Sequence, residues 1–164
     1  MSNAASRTRG RDALGLAAFV ALCLAISAIG GWVTAQSVGT WYRALQKPFF
    51  NPPDWVFAPV WTTLYLTIAL AGWRVWRVRG LAGALAAMSV YAAQLALNLA
   101  WSFIFFGARA IGLAFAEILI LLAAICINAA LFRRIDRAAG WLLVPYAAWV
   151  AFASVLNLAL WRLN

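Results

Sequence analysis

Charged side chains are spaced along this chain so that four long intervals contain none. They run from Ala13 to Tyr42, Trp55 to Trp73, Gly80 to Ala108 and Ala138 to Trp161, or 30, 19, 29 and 24 residues. Crossing the ~30 Å hydrocarbon core of a bilayer takes roughly 20 helical residues. A fifth interval, Ala110 to Phe132, holds 23 residues and one charge, Glu117. Lipid offers no partner to a backbone amide, so each segment must satisfy its own amides as a helix. The pattern predicts an all-α membrane protein, a five-transmembrane-helix bundle. Helices are expected at about 14–33, 53–76, 81–106, 110–132 and 140–161, in one domain over 13–164. Composition agrees, with 66% hydrophobic and 10% charged residues, where a soluble domain has roughly 45 to 50% and 25%.

Residues 1–12 are polar and Arg-rich and are expected to form a flexible tail. Arg7, Arg9 and Arg11 before an apolar run also resemble a secretory signal. That run lasts about 20 residues against the usual ~7 to 15, so it is kept as a helix. The formal charge of +9 is a topology signal here. Nine basic residues (Arg7, Arg9, Arg11, Arg74, Arg77, Arg79, Arg133, Arg134, Arg137) fall in the tail and the even connections; Arg43, Lys47, Arg109 and Arg162 fall opposite. The N-terminus is then cytoplasmic if the chain sits in an inner membrane, and an outer membrane is not excluded. Twelve of thirteen basic residues are Arg and Ala is abundant, which fits a GC-rich bacterial genome and so a bacterial envelope. Cys23 and Cys126 lie in predicted spans and propose neither a disulfide nor a zinc site.

The connection at about 34–52 is the longest and mixes Trp41, Tyr42, Leu45, Phe49 and Phe50 with Arg43 and Lys47. Such a mixture suits the headgroup region, and a loop of this length could lie over the bundle as a lid. Asn51 is expected to cap the second helix, with Pro52 at its first position and Asp54 complementing the dipole. Pro59 and Pro145 fall inside helices, freeing the carbonyls of Trp55 and Trp141, and predict kinks.

Polar side chains in hydrocarbon turn toward protein or a cavity. Tyr91, Gln94, Asn98 and Trp101 share one face of the third helix. Tyr146, Trp149, Ala153 and Asn157 form a stripe on the fifth, and Trp61, Tyr65, Ile68 and Gly72 one on the second. Facing each other, these stripes would make a hollow with flat aromatic walls, suited to a planar, mostly apolar ligand with polar edges. Interhelical hydrogen bonds, worth about 1 kcal/mol or less, are the competing account of Gln94, Asn98 and Asn157. Trp41, Trp55, Trp141 and Trp161 sit near span ends, where aromatic belts form without a ligand. Glu117 is a candidate proton or polar site, or pairs with Arg109. Ala92, Ala96 and Ala100 lie on the far side of the third helix.

With no His in the chain, the commonest metal ligand and the usual general base are missing. No nucleophile has an evident activating partner, so hydrolytic chemistry is not expected. No glycine-rich phosphate loop or nucleic-acid surface is present, and no cofactor is required.

The run from Trp41 to Pro53 (WYRALQKPFFNPP), then Pro59-Val60-Trp61-Thr62-Thr63-Leu64-Tyr65, resembles the first-loop signature of the translocator protein family. This family comprises the tryptophan-rich sensory proteins of bacteria and the peripheral benzodiazepine receptor of mitochondria. Gln94 to Asn98, Phe105 to Arg109, and Pro145 to Trp149 with Asn157 and Trp161-Arg162 match further blocks in order, over about 41–164. The resemblance implies a five-helix bundle whose pocket takes porphyrins, benzodiazepine-type drugs and, in animal members, cholesterol. Tyr42, Trp61, Asn98, Trp149 and Ala153 are similar to family pocket residues, and Gln94 joins them. Bacterial members degrade protoporphyrin in light and oxygen through two tryptophans, which resemble Trp61 and Trp149; that enzyme activity would need no conventional acid or base. Family dimers form through the third helix, compatible with Ala92, Ala96 and Ala100 as a close-packing face. Leu158 replaces the tyrosine of the animal cholesterol motif, and Phe50, Leu99 and Leu113 replace tryptophans of some members. The resulting expectation is a membrane receptor or sensor for a protoporphyrin-type tetrapyrrole or another planar hydrophobic ligand, in contact with lipid and dimeric. Photo-oxidative degradation and tetrapyrrole or sterol transport are the alternatives.

Overall fold

The computed structural model describes residues 2–164, with side chains from Gly10 onward. Among these residues the structure is helical, without strands. Helix α1 (Ser2–Ser37) continues as a π-helical turn, Val38–Tyr42. Helix α2 covers Asp54–Gly83, and α3 covers Leu85–Ser102 and ends in a second π-helical turn, Phe103–Gly107. Helices α4 (Ile111–Ile135), α5 (Arg137–Leu142) and α6 (Val144–Leu163) complete the chain. Five stretches are long and apolar enough to cross a membrane: Gly10–Tyr42, Asp54–Gly83, Leu85–Gly107, Ile111–Ile135 and Arg137–Leu163. The chain is a multi-pass membrane protein. Leu22, Ile29, Leu66, Leu113, Ile120, Ile127 and Val155 point outward, as lipid contact requires.

The first connection is shorter than the sequence predicts. Helical backbone continues through Ala44, leaving nine residues, 45–53, before α2. The continuation is held by the end of α3: Ser37 Oγ donates to the Phe106 carbonyl (2.8 Å), and Trp41 and Tyr42 pack edge-on against Phe105 at 5.7 and 6.2 Å. Asn51 does not cap α2, which starts at Asp54 with Pro53 as the preceding residue. A residue before proline is disfavoured in the helical region, so Pro52 cannot be the first helical residue. The Asn51 side chain instead accepts from Tyr42 Oη (3.0 Å) and donates to the Pro52 carbonyl (2.9 Å).

Pro59 leaves the dihedrals of α2 helical; the break falls at Gly80 (φ 66°, ψ 178°), a backbone conformation essentially restricted to glycine. Near Pro145 the fifth span does divide, with Leu143 as the hinge between α5 and α6.

At the level of Gly72 the core is solid. The Tyr91 ring fills the space beside this glycine, stacks on Phe132 (5.7 Å, 21°) and donates through its hydroxyl to the Ile68 carbonyl (3.3 Å). Helix α1 docks there through Gly15, over which the Trp76 ring lies, and through Phe19, at 5.9 Å from Tyr91. Toward its other end α1 leans on α3 instead, with Gly30 against Ser102.

Asp136 clamps the end near the α4–α5 junction. Its carboxylate accepts from the Ala139 amide (3.1 Å), capping α5, and from Arg74 Nε (3.0 Å) and Nη2 (2.9 Å) of α2. Desolvation favours the protonated acid, but the Ala139 amide and the Arg74 guanidinium outweigh it and hold the carboxyl below the usual carboxylate range. A group with a depressed folded pKa stabilises above its unfolded pKa, about 3.9, and the contribution is lost as pH falls through the folded value. Asp136→Asn is expected to lower stability by about 1 kcal/mol at neutral pH. The gap from wild type should close on acidification below about pH 4. Thermal unfolding in detergent as a function of pH measures it, and a pH-independent gap would contradict the assignment.

Candidate functional site

Above the solid core the helices diverge and enclose a cavity of about 410 Å³. Its lining includes seven of the nine ligand-binding candidates read from sequence, Tyr42, Trp61, Asn98, Trp101, Trp149, Ala153 and Asn157, together with Tyr65 of the second-helix stripe. The three stripes do meet, but only their halves toward Tyr42 face a void.

The indoles are positioned by aromatic neighbours. Trp61 lies 5.8 Å from Tyr65 and 6.3 Å from Tyr146. Trp149 packs edge-on against Phe57 (5.9 Å) and tilts against Phe152 (5.5 Å), while Trp101 stacks on Phe105 (4.9 Å, 21°). Offset and edge contacts of this kind fix ring orientation as well as adding stability.

The amides are held as firmly. Asn98 Oδ1 accepts from Tyr65 Oη, and Asn98 Nδ2 donates to Tyr146 Oη (2.9 Å), tying α2, α3 and α6 together. Asn157 Oδ1 accepts from Trp101 Nε1 (3.2 Å), and its Nδ2 donates to the Ile111 carbonyl (2.9 Å) at the start of α4. An amide nitrogen carries two hydrogens, so each Asn retains one N–H beyond these bonds. Interhelical bonding and a polar cavity wall are thus the same residues doing both things.

Other sequence candidates lie elsewhere. Tyr146 is fully buried behind the cavity wall, against Asn98 and the Trp61 ring. Gln94 has no exposed surface, lies outside the lining and has no hydrogen-bond partner on either amide atom. Glu117 is buried in α4, away from the cavity lining, and neither carboxylate oxygen has a partner. It does not pair with Arg109, whose guanidinium lies over the Trp41 ring at 5.9 Å. Asn128, on the same face of α4, donates to the Ala87 carbonyl (3.1 Å), so this face meets α3. Ala92 and Ala96 are on the outer surface, with Ala100 half-buried.

Sequence reasoning missed the α1 wall: Ser27, Gly30, Gly31, Thr34, Ala35 and Val38. Their spacing, i, i+3, i+4, i+7, i+8, i+11, is one helix face, and its small side chains leave the room that the indoles line from the other side. Also missed were Phe57, Phe105 and Phe106, which the aromatic content of the chain hides among its other aromatic residues. No group of His, Cys, Asp or Glu among the described residues is arranged to hold a metal.

Comparison with known proteins bears on this arrangement. The chain is 41% identical over 141 residues to the translocator protein of Ovis aries, covering 82% of this chain and 83% of the relative. It is 37% identical over 161 residues to the tryptophan-rich protein TspO of Chlorobaculum tepidum (94% and 98% covered). With the tryptophan-rich sensory protein of Cereibacter sphaeroides it shares 38% over 146 residues, 89% of each chain. The profile of the TspO/MBR family matches residues 19–162, which include all five spans in whole or large part and every residue of the cavity wall. The chain therefore belongs to the TspO/MBR family.

Proposed function

We propose that this protein is a membrane receptor or sensor that binds porphyrin-type tetrapyrroles or similarly planar hydrophobic molecules in the cavity. The observation that carries the proposal is the wall itself: Trp61, Trp101 and Trp149 on three different helices, with the Asn98 and Asn157 amides between them. Flat rings offer stacking area to a planar ligand, and the two uncommitted N–H groups offer bonds to a polar edge. The volume falls in the range of ligand pockets, about 300 to 1,000 Å³. Protoporphyrin is expected to quench the intrinsic Trp fluorescence of purified protein in the dark. Trp149→Ala should weaken this binding by about tenfold or more, the effect of removing a buried aromatic anchor. Unchanged quenching in Trp149→Ala and Asn98→Ala would place the ligand elsewhere.

A second reading is light-dependent oxidation of the bound porphyrin, favoured by Trp61 and Trp149 both lining the cavity. Among the described residues Asp54 is the only carboxylic acid in the lining, so turnover should depend on light rather than on acid–base catalysis. Porphyrin absorbance followed in light and dark for wild type, Trp61→Phe and Trp149→Phe separates the two readings. Identical bleaching in all three leaves the receptor alone.

A further inference from the structure

The cavity is not walled evenly. Toward α3 and α6 none of its lining is exposed: Asn98, Phe105, Leu156, Asn157 and Leu160 are buried, and Trp101, Ser102, Phe106, Trp149 and Ala153 half-buried. Toward α1 and α2 several lining residues are themselves exposed on the outer surface: Gly31 and Ala35 of α1, Ala58 and Thr62 of α2. All four are small. The packing explains why a gap lies there. The two helices touch at Gly15–Trp76 and Phe19–Gly72, beyond which α1 follows α3 through Gly30–Ser102 and Ser37–Phe106. A wedge is left between α1 and α2 on the cavity side.

Depth decides what the wedge opens onto. The slit runs from Ala58, four residues after Asp54, to Gly31, eleven residues before Tyr42, and at 1.5 Å per residue it reaches roughly 17 Å from the ends of these spans. Such a depth is well inside a hydrocarbon core of ~30 Å. The facing end is obstructed. Residues 45–53 bridge α1 to α2, Phe50 packs on Phe152 of α6 (6.4 Å), and Asn164 exchanges two hydrogen bonds of 3.0 Å with the Gln46 backbone.

Charge points the same way. Among the described residues Asp54, at the mouth, is the one charged residue in the lining, and no basic residue contributes to it. Lys47, whose ammonium lies 4.8 Å over the Tyr42 ring, sits at the headgroup end. A charged ligand edge finds a partner there, and none deeper.

We infer that the cavity is loaded sideways from the bilayer through the slit between α1 and α2, and that it selects a planar amphiphile whose ring portion is uncharged. This rests on the receptor reading above and adds the route and the chemical class. A membrane-dissolved molecule keeps its polar edge at headgroup depth while its ring slides between the helices. No opening of the first connection is needed.

The test is kinetic, with protoporphyrin and a polycationic porphyrin as probes on protein in vesicles. Ala58→Leu and Ala58→Trp narrow the slit by increasing amounts, and are expected to slow association progressively, by about tenfold or more for Trp. Dissociation should slow with it. Leu113→Trp, on the outer face of α4, is the control for a bulky outward indole and should leave both rates unchanged. A Gln46→Cys/Asn164→Cys disulfide, at positions already in hydrogen-bond contact, locks the headgroup end. The locked protein should bind at the unlocked rate. Slower binding on locking, with unchanged rates in the Ala58 series, would overturn the sideways route. Binding of the porphyrin carrying cationic groups all round its ring as tightly as protoporphyrin would overturn the uncharged class. Absence of porphyrin binding by the wild type is a distinct result, which removes the receptor reading itself.

Discussion

Gly140→Ala is expected to destabilise the protein by about 2 kcal/mol, against the direction of helix propensity, which favours alanine by about 1 kcal/mol. A Cβ at this position of α5 would lie 2.6 Å from Arg133 Cβ and 2.9 Å from both Arg133 Cα and the Ala129 carbonyl oxygen. Two of these are backbone atoms of α4 and have no rotamer to escape into. The helices must separate, loosening α5 where Asp136 and Arg74 anchor it. Gly31→Ala, where no atom lies within 4 Å of the added carbon, is the control. It should be neutral or slightly stabilising. Thermal unfolding of both variants in detergent decides the matter, and equal stability of Gly140→Ala and wild type would refute the close packing.

Asn98→Leu carries the second large effect, on stability and binding together. Removing the amide strands Tyr65 Oη and Tyr146 Oη in a buried site. Side-chain hydrogen bonds between membrane helices average about 0.6 kcal/mol and reach about 1.7, so two give a loss of about 1 to 3 kcal/mol. The cavity also loses its Asn98 N–H, and porphyrin affinity should fall by about tenfold, one neutral hydrogen bond. A double-mutant cycle with Tyr65→Phe isolates the pair. Coupling near zero would mean that the Tyr65–Asn98 bond contributes nothing.

Gln94 gives the opposite sign. Both its amide atoms are buried and unpartnered, so Gln94→Leu, similar in volume, removes a desolvation cost and should stabilise by about 1 kcal/mol or more. By sequence pattern Gln94 is indistinguishable from its neighbour Asn98. The two differ by four residues, one helical turn, and that turn separates void from solid core.

The same reason accounts for what sequence could and could not disclose. The helices were legible because a charge-free interval of membrane length suits a bilayer-crossing helix and little else, and Trp61, Asn98, Trp149 and Asn157 because polar and indole groups on spans need somewhere to face. The resemblance over about 41–164 added the family, which the comparisons establish. Periodicity names a face but not the depth at which facing helices part, so it could not tell Trp149 from Tyr146. The α1 wall was hidden for a related reason: Gly31 and Ala35 shape the site by being small, and small residues leave no chemical mark. The long first connection was misjudged because Trp41 and Tyr42 find their partners in Phe105 and Phe106, more than sixty residues away in sequence, and only that contact draws the helix onward.

The reversal at Gly80 bears on how the protein is made. With α2 and α3 joined by a turn this tight, the two helices are held as an antiparallel pair, and insertion as a hairpin is the expected route. Whichever compartment keeps Arg74, Arg77 and Arg79 settles the orientation of both helices in one event, and the later spans inherit it.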